Sequence, residues 1–259
     1  MKPNGIITFT SDFGLEDPFV GIVKGVILSI NPFARIVDIT HGIGAQDILQ
    51  GALVLRSAYR FFPPGTIHLA VVDPGVGSQR HPIVVETPMY IFVGPDNGLL
   101  SLAIGEEFSA YIIENPNFIL EKVSQTFHAR DIFAPTAGYL SLGIKPSAVG
   151  RKLEEIKRLS PPSPSCEEGK IIGEIIGFDH FGNAITNIPE ELIRDKKALK
   201  IRIGVKTIEG LSSSYAEKPP LTPLAILGSS GFLEISLNLG SARSELKLKK
   251  GDEVEVTFD

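Results

Sequence analysis

A proline-rich segment divides this chain into two parts with different periodicity, which restricts it to folds with two domains. The segment, Ser160-Pro161-Pro162-Ser163-Pro164-Ser165, supports neither a helix nor a strand ladder, because proline lacks the backbone N–H donor. A chain of 259 residues is long enough to bury two separate cores. We therefore predict domains at 1–160 and 169–259, joined by a linker at 161–168.

The first part alternates apolar runs with helical patterns. Residues 6–9, 36–39 and 67–72 have the composition of buried strands. A helix is predicted to follow Asp47, whose side chain is suited to cap its first turn, and a later helix opens at Asp131. This alternation predicts an α/β domain with a largely parallel central sheet.

The second part contains short apolar runs separated by Gly, Asn, Ser and Pro. Such spacing is typical of an all-β domain built from short strands. We predict a smaller, barrel-like domain. Its expected strands are residues 170–178, 199–203, 224–227, 232–237 and 254–258.

The charge balance argues against two classes of partner. A net charge of -5 with 21% charged residues gives no bias toward nucleic acid or anionic membranes. No apolar run is long enough to cross a bilayer, and the chain does not open with a signal-peptide pattern. We expect a cytoplasmic protein with a small-molecule partner, no nucleic acid and no membrane.

Polar side chains follow two of the predicted strands. Asp12 comes directly after the first strand, and Asp73 follows the strand at 67–72. Parallel α/β sheets bind ligands at the carboxyl ends of their strands, so Asp12 is placed to accept hydrogen bonds from a ribose diol or else to stabilise its own loop. Arg80 lies seven positions after Asp73, and the pair is either part of a site or a structural ion pair.

An aromatic residue and a histidine, Phe127 and His128, stand directly before the helix predicted at Asp131. The positive end of a helix dipole favours the neutral imidazole, which suits a site residue as well as a structural one.

Three segments of the second part are rich in polar or small residues. Asp179 and Asn183 are suited to hold the charged end of an amino acid, although a hydrogen-bonded turn explains them equally well. The loops that contain Ser229 and Asn238 offer backbone amides to a carboxylate or an adenine edge, or are ordinary barrel turns.

Several standard motifs are missing. The chain has no complete dinucleotide fingerprint, no phosphate-binding loop, no HExxH and no paired Cys-x-x-Cys. NAD and ATP chemistry lose support, and no cofactor is expected. A metal-dependent hydrolase built from Asp12, His41, Asp73 and His128 remains an alternative at this point.

Six short segments together resemble the SAM hydroxide adenosyltransferase family, whose members cleave S-adenosyl-L-methionine (SAM) and are related to the bacterial fluorinase and chlorinase. The resemblance runs in order along nearly the whole chain. The segments are Thr10-Ser11-Asp12-Phe13-Gly14, Val72-Asp73-Pro74-Gly75-Val76-Gly77, Gly94-Pro95-Asp96-Asn97-Gly98, Phe127-His128-Ala129-Arg130-Asp131, Asp179-His180-Phe181-Gly182-Asn183 and Gly228-Ser229-Ser230-Gly231-Phe232.

The resemblance implies an N-terminal α/β domain, a C-terminal β-barrel and a homotrimer with active sites shared between subunits. The implied reaction is attack of water or hydroxide on the ribose 5′ carbon of SAM, which is the substrate and not a cofactor. The family's catalytic Asp, Arg and His correspond to Asp73, Arg80 and His128. Its substrate-binding positions correspond to Asp12, Phe127, Asp179, Asn183, Ser229 and Asn238.

Two features separate the chain from the halogenating relatives. Asp73 stands where the fluorinase has an aromatic residue, and Val76 stands where it has a halide-contacting threonine. The resemblance therefore favours hydrolysis over halide transfer. The leading alternative of another class is a SAM- or adenosine-binding protein without turnover.

Overall fold

Runs of fully buried apolar residues form the central strands of the first half of the chain. The computed structural model describes residues 2–259, and its first compact unit ends at Ser160. The elements of this unit are β1 (Ile6–Ser11), α1 (Phe19–Ile30), β2 (Arg35–Thr40), α2 (Ile48–Ala58), β3 (Ile67–Val71), β4 (Pro82–Glu86), β5 (Ile91–Pro95), β6 (Ser109–Ile112), α3 (Ala134–Ser141) and β7 (Lys152–Leu153), with a π-helical turn at Ala129–Phe133 and 3₁₀ turns at Tyr59–Phe61, Pro116–Phe118 and Pro146–Ala148.

The seven strands form one mixed sheet in the order β2-β1-β3-β5-β4-β6-β7. Its β2-β1-β3-β5 half is parallel, whereas β4, β6 and β7 pair antiparallel. The expectation of a largely parallel sheet is therefore correct for one half only. Residues 87–90, which connect β4 to β5, are too few for the crossover that a parallel pair requires.

Helices cover both faces of this sheet. On one face, Val20, Val23 and Ile27 of α1 are buried at helical spacing and pack with α3 against β1 and β3. On the other face, Leu55 of α2 lies in a second buried cluster with Ala70 of β3 and Phe92 of β5. The predicted cap of α2 is confirmed, since the Asp47 side chain accepts a hydrogen bond from the Gln50 amide.

The second compact unit begins at Pro161 and is dominated by antiparallel strands. Its elements are β8 (Ser165–Glu167), β9 (Lys170–Phe178), β10 (Ala184–Pro189), β11 (Lys200–Ile203), β12 (Lys206–Glu209), β13 (Pro223–Leu227), β14 (Phe232–Leu237), the short helix α4 (Ala242–Glu245) and β15 (Glu253–Thr257), with 3₁₀ turns at Glu190–Leu192 and Tyr215–Glu217.

This sheet runs in the order β12-β11-β15-β9-β10-β14-β13, and its edge strands β12 and β13 contact each other, so it is a nearly closed barrel. Ile175, Ile201, Ile235 and Val254 lie in its core. The sequence patterns missed β10 and β12. The expected linker at 161–168 also differs from the structure, because residues 165–167 form β8 and pair with β9.

Among residues 2–259, no helix is long and apolar enough to span a membrane.

Candidate functional site

Two carboxylates lie at the same edge of the first sheet because they follow neighbouring parallel strands. Ser11 at the end of β1 pairs with Val71 at the end of β3, and Asp12 and Asp73 come shortly after these strand ends. Both line a cleft of about 360 Å³ together with Phe127 and His128. The structure thus brings four of the predicted residues to one cleft at the carboxyl ends of the strands, the usual ligand position in such sheets.

Arg80 holds the Asp73 carboxylate from behind the cleft. Its Nε lies 2.9 Å from Asp73 Oδ1, and its Nη2 donates to Asp73 Oδ2. Both side chains are almost fully buried, at 4% and 6% exposed. A two-point bond of this kind fixes the plane of the carboxylate, which a lysine cannot do.

The loop that joins Asp73 to Arg80 depends on a glycine. Gly77 has a positive φ of 75°, and a Cβ at this position would lie 2.2 Å from the carbonyl oxygen of Gln125. The close approach packs the Asp73 loop against the segment that leads to Phe127 and His128. Only glycine allows both the backbone conformation and the contact.

The third predicted residue, His128, joins the pair through the same guanidinium. Arg80 Nη2 lies 2.8 Å from His128 Nδ1. Arginine has no acceptor, so Nδ1 must accept this bond, and the ring proton is on Nε2. The contact therefore assigns His128 as a neutral imidazole with an Nε2–H donor.

The surroundings of His128 favour the same neutral form. Burial lowers the pKa of His128 below its usual 6.5, and the positive charge of Arg80 lowers it further, against smaller opposing effects of Asp73 and Asp131. His128 directly precedes the π-helical turn at Ala129–Phe133, a form of helix that often occurs at functional sites. Within this turn, Arg130 pairs with the buried side chain of the adjacent Asp131.

Within residues 2–259, the chain binds only one of the two carboxylate oxygens of Asp12. Its Oδ2 accepts a hydrogen bond of 2.8 Å from the Gln46 amide, while the described part of the chain gives Oδ1 no hydrogen bond. Gln46 has a positive φ of 66°, uncommon for a residue with a Cβ. Asp12 thus keeps one carboxylate oxygen available to a ligand in the cleft.

Aromatic rings form one wall of the cleft. Phe127 packs edge-on against Phe19 at 5.2 Å and against Phe13 at 6.2 Å, measured between ring centroids. The Arg130 guanidinium lies 5.1 Å from the centre of the Phe127 ring. The predicted aromatic wall at Phe127 is therefore part of a larger cluster.

The remaining predicted residues lie in the second unit. Asp179 and Asn183 form one tight turn, in which Asp179 accepts bonds of 2.8 and 2.7 Å from the amide and the side chain of Asn183. Ser229 is exposed in the turn between β13 and β14. Asn238 donates its side-chain N–H to the Lys218 carbonyl at 2.6 Å, which leaves its side-chain oxygen as the available group.

Close to this turn, a buried acid pairs with a phenol. Tyr215 donates to Glu234 Oε2 at 3.1 Å. Burial raises the pKa of Glu234, and the charge of Asp179 raises it further, against the opposing hydrogen bond from Tyr215. Burial, together with Glu234, raises the pKa of Tyr215 to about 12.

The residues considered for a metal-dependent hydrolase do not form one group of ligands in the described part of the chain. Within residues 2–259, no three His, Cys, Asp or Glu side chains are grouped as metal ligands. Asp73 is bound to Arg80, and His41 contacts Ser11 and Asp38 instead of the cleft.

Sequence patterns missed the contributions of Gln46, Phe13 and Phe19 to the cleft. Gln46 acts through its backbone amide, which no side-chain pattern reports. Phe13 and Phe19 could have been found from their positions next to Asp12 and at the start of α1. Apolar residues at such positions are, however, equally consistent with the hydrophobic core.

Comparison with known proteins gives a consistent set of relatives. Residues 7–150 match the SAM hydroxide adenosyltransferase N-terminal domain, and residues 173–255 match its C-terminal domain. The chain is 37% identical to the (R)-S-adenosyl-L-methionine hydrolase of Thermus thermophilus, with 99% of this chain and 100% of the relative covered. It is 30% identical to a fluorinase of Nocardia brasiliensis, over 97% and 96% of the two chains.

A solved structure shares the fold. An uncharacterised conserved protein from Thermotoga maritima superposes with a TM-score of 0.90 at 38% identity, covering 97% of this chain and 99% of that chain.

Proposed function

Since the chain belongs to the SAM hydroxide adenosyltransferase family, we infer that it hydrolyses SAM by attack of water or hydroxide on the ribose 5′ carbon, giving adenosine and L-methionine. The observation that carries this function is the bonded set of Asp73, Arg80 and His128 beside Asp12, at one cleft.

The reaction places particular demands on such a site. As the new C–O bond forms, the C–S bond breaks and its electron pair goes to sulfur, so a sulfonium leaves as a neutral thioether. The leaving group needs neither a proton nor a Lewis acid. The enzyme must instead orient a poor nucleophile and remove its proton.

The hydrogen bonds assign different roles to the three catalytic residues. We propose that His128 donates its Nε2–H to the oxygen of the water, because its Nδ1 is occupied by Arg80. Asp73 receives the water's proton, since a carboxylate has lone pairs beyond the two that Arg80 uses. Arg80 aligns both groups and acts on the nucleophile only through them.

We assign separate residues to the two ends of SAM. The free Oδ1 of Asp12 accepts from the ribose hydroxyls, and Phe127 forms an apolar wall along the reacting centre. The family resemblance assigns Asp179, Asn183, Ser229 and Asn238 to the methionine end. The hydrogen bonds between Asp179 and Asn183 hold these two side chains together in one turn.

We further propose that the chain forms a homotrimer in which each site takes its first-domain residues from one subunit and its second-domain residues from a neighbour. This assembly is implied by the family resemblance. A cyclic trimer with three equivalent head-to-tail interfaces would complete three identical sites.

Product analysis tests the function. Purified protein incubated with SAM should release adenosine and methionine, with and without a chelator, because the proposed mechanism uses no metal or other cofactor. In ¹⁸O-labelled water the 5′ hydroxyl of adenosine should carry the label. Methylthioadenosine as the main product, or unlabelled adenosine, would contradict direct attack by water.

Because the Thermus thermophilus relative is named for the (R) form, both sulfonium epimers should be assayed, and we expect the (R) epimer to react.

A further inference from the structure

The loop that carries Asp12 is bound on both sides by one buried histidine. His41 Nδ1 lies 2.7 Å from Ser11 Oγ, immediately before Asp12. The His41 carbonyl accepts a hydrogen bond of 2.8 Å from the Gly14 amide, two residues after Asp12. His41 is only 5% exposed and lies just beyond the end of β2. Its contacts therefore fix the loop at both ends of the ligand-facing residue.

The other side of the ring faces a carboxylate. His41 Nε2 lies 3.1 Å from Asp38 Oδ1, close enough for electrostatic attraction although the alignment is poor for a hydrogen bond. Asp38 in turn pairs with Lys24 of α1 at 2.6 Å. The edge of the His41 ring packs against Phe9, with centroids 4.7 Å apart. An acceptor-only carboxylate at Nε2 favours the proton on that nitrogen, so Nδ1 accepts from the Ser11 hydroxyl.

The segment that begins with His41 also binds Asp12 itself. Five residues after His41, the Gln46 amide donates to Asp12 Oδ2 at 2.8 Å. A shift of His41 would move this segment and the Asp12 loop together. Positions of groups that bind substrate need to be kept within about 0.5 Å for full effect.

We propose that His41 is a positioning residue that holds the Asp12 carboxylate in place for the ribose hydroxyls of the substrate. This role rests on the proposed function, in which Asp12 binds the ribose. His41 does not line the cleft, and its polar contacts are with Ser11, Asp38 and Gly14 instead of Asp73, Arg80 or His128, so we expect its effect to fall on binding.

The first test separates binding from turnover. His41→Leu should raise KM for SAM about tenfold and weaken adenosine binding by a similar factor, while kcat stays within about threefold of wild type. His41→Asn, which keeps an amide near the position of Nδ1, should recover most of the affinity. If His41→Leu does not fold, Ser11→Ala removes the same hydrogen bond with a smaller change and should raise KM in the same direction.

The chain offers a matched control. Thr8 and His68 form a second buried hydroxyl–imidazole pair, at 2.8 Å between β1 and β3, away from the Asp12 loop. His68→Asn should lower stability without raising KM. If it raises KM as much as the His41 substitutions do, general loosening of the sheet explains the effect and the proposal is overturned.

A double-mutant cycle decides whether His41 acts through Asp12. In an Asp12→Ala background, His41→Leu should have little further effect on adenosine affinity measured by calorimetry, whereas independent roles would multiply the two losses. Multiplicative losses, or a fall in kcat at constant KM, would refute the positioning role. Failure of the proposed function can be told apart from failure of the positioning role. In the first case wild-type protein would release no adenosine from SAM, while the calorimetric cycle could still be measured.

Discussion

A histidine in the core of the first unit should make the protein sensitive to acid. His68 is fully buried on β3, stacked on Phe92 at 5.1 Å between ring centroids, with Tyr59, Phe62 and Tyr90 packed edge-on around it. Its Nδ1 bonds to Thr8, but the described residues offer its Nε2 no hydrogen-bond partner. A second proton on this ring would therefore be buried without compensation, and burial lowers the pKa of His68 from 6.5 to about 3.

The direction and size of the effect follow from the two pKa values. The folded pKa lies below the unfolded one, so the unfolded state binds more protons between these two values, and stability falls as the pH falls from 6.5 toward 3. Between pH 7 and pH 4 this one group should remove about 3 kcal/mol of unfolding free energy. Above pH 6.5 its contribution is fully present.

The perturbation is His68→Asn, which keeps a polar partner for Thr8 and removes the titration. Unfolding by urea should be followed at pH 7 and pH 4 by tyrosine fluorescence, because the chain has no tryptophan and four of its five tyrosines lie in the first unit. The variant is expected to be less stable at pH 7 but to lose about 3 kcal/mol less than wild type on acidification.

His81→Asn is the matched control, since His81 is an exposed histidine of the same unit. It should retain the acid dependence of the wild type. The reasoning about His68 fails if His68→Asn and wild type lose the same unfolding free energy between pH 7 and pH 4.

Three further predictions concern activity. Asp73→Asn should lower kcat about 10²- to 10⁴-fold with KM within about threefold, as steady-state kinetics would show, because it removes the proton acceptor and not a substrate contact. Turnover should require neutral His128, so kcat should decrease as the pH falls below 6.5, because the pKa of His128 is lowered. A loss of kcat on protonation of His128 at a pH above 6.5 would contradict the assignment. In re-assembled equimolar mixtures of Asp73→Asn and Asp179→Ala chains, about a quarter of wild-type activity should return if neighbouring subunits share each site, and none if each site lies within one chain.

The outline of the first unit was accessible from the sequence because its patterns are local. The run of β3, which is apolar except for His68, and the Asp47 cap of α2 each predict one element from a few adjacent residues. The antiparallel half of the sheet was missed because strand direction depends on the length of the connection at 87–90 and on which strands become neighbours. In the second unit, β12 carries only one buried residue, Ile208, so its pattern had little apolar signal.

Individual site residues were easier to predict than the relations among them. Asp12 and Asp73 stand at strand ends, and that position alone marks them as candidates. In contrast, the support of Asp12 comes from His41 and from the Gln46 backbone, more than 25 positions away in sequence. Such contacts depend on how β1 and β2 align, and no local pattern encodes them.

The proposed roles of Asp73 and His128 depend on geometry that no sequence pattern contains. Either residue is chemically able to take a proton from water, and the sequence leaves the choice open. In the proposed mechanism, the contact from Arg80 Nη2 to His128 Nδ1 leaves the role of base to Asp73, because a guanidinium can only donate. If Arg80 contacted only Asp73, the ring proton of His128 could lie on Nδ1, and the unprotonated Nε2 would then be a competent base. Arg80→Lys should therefore do more than weaken an ion pair: by releasing Nδ1 it should allow the histidine to compete for the proton, and the acid limb of the rate profile should shift. An unchanged profile at reduced kcat would show that the arginine contact does not set the role of His128.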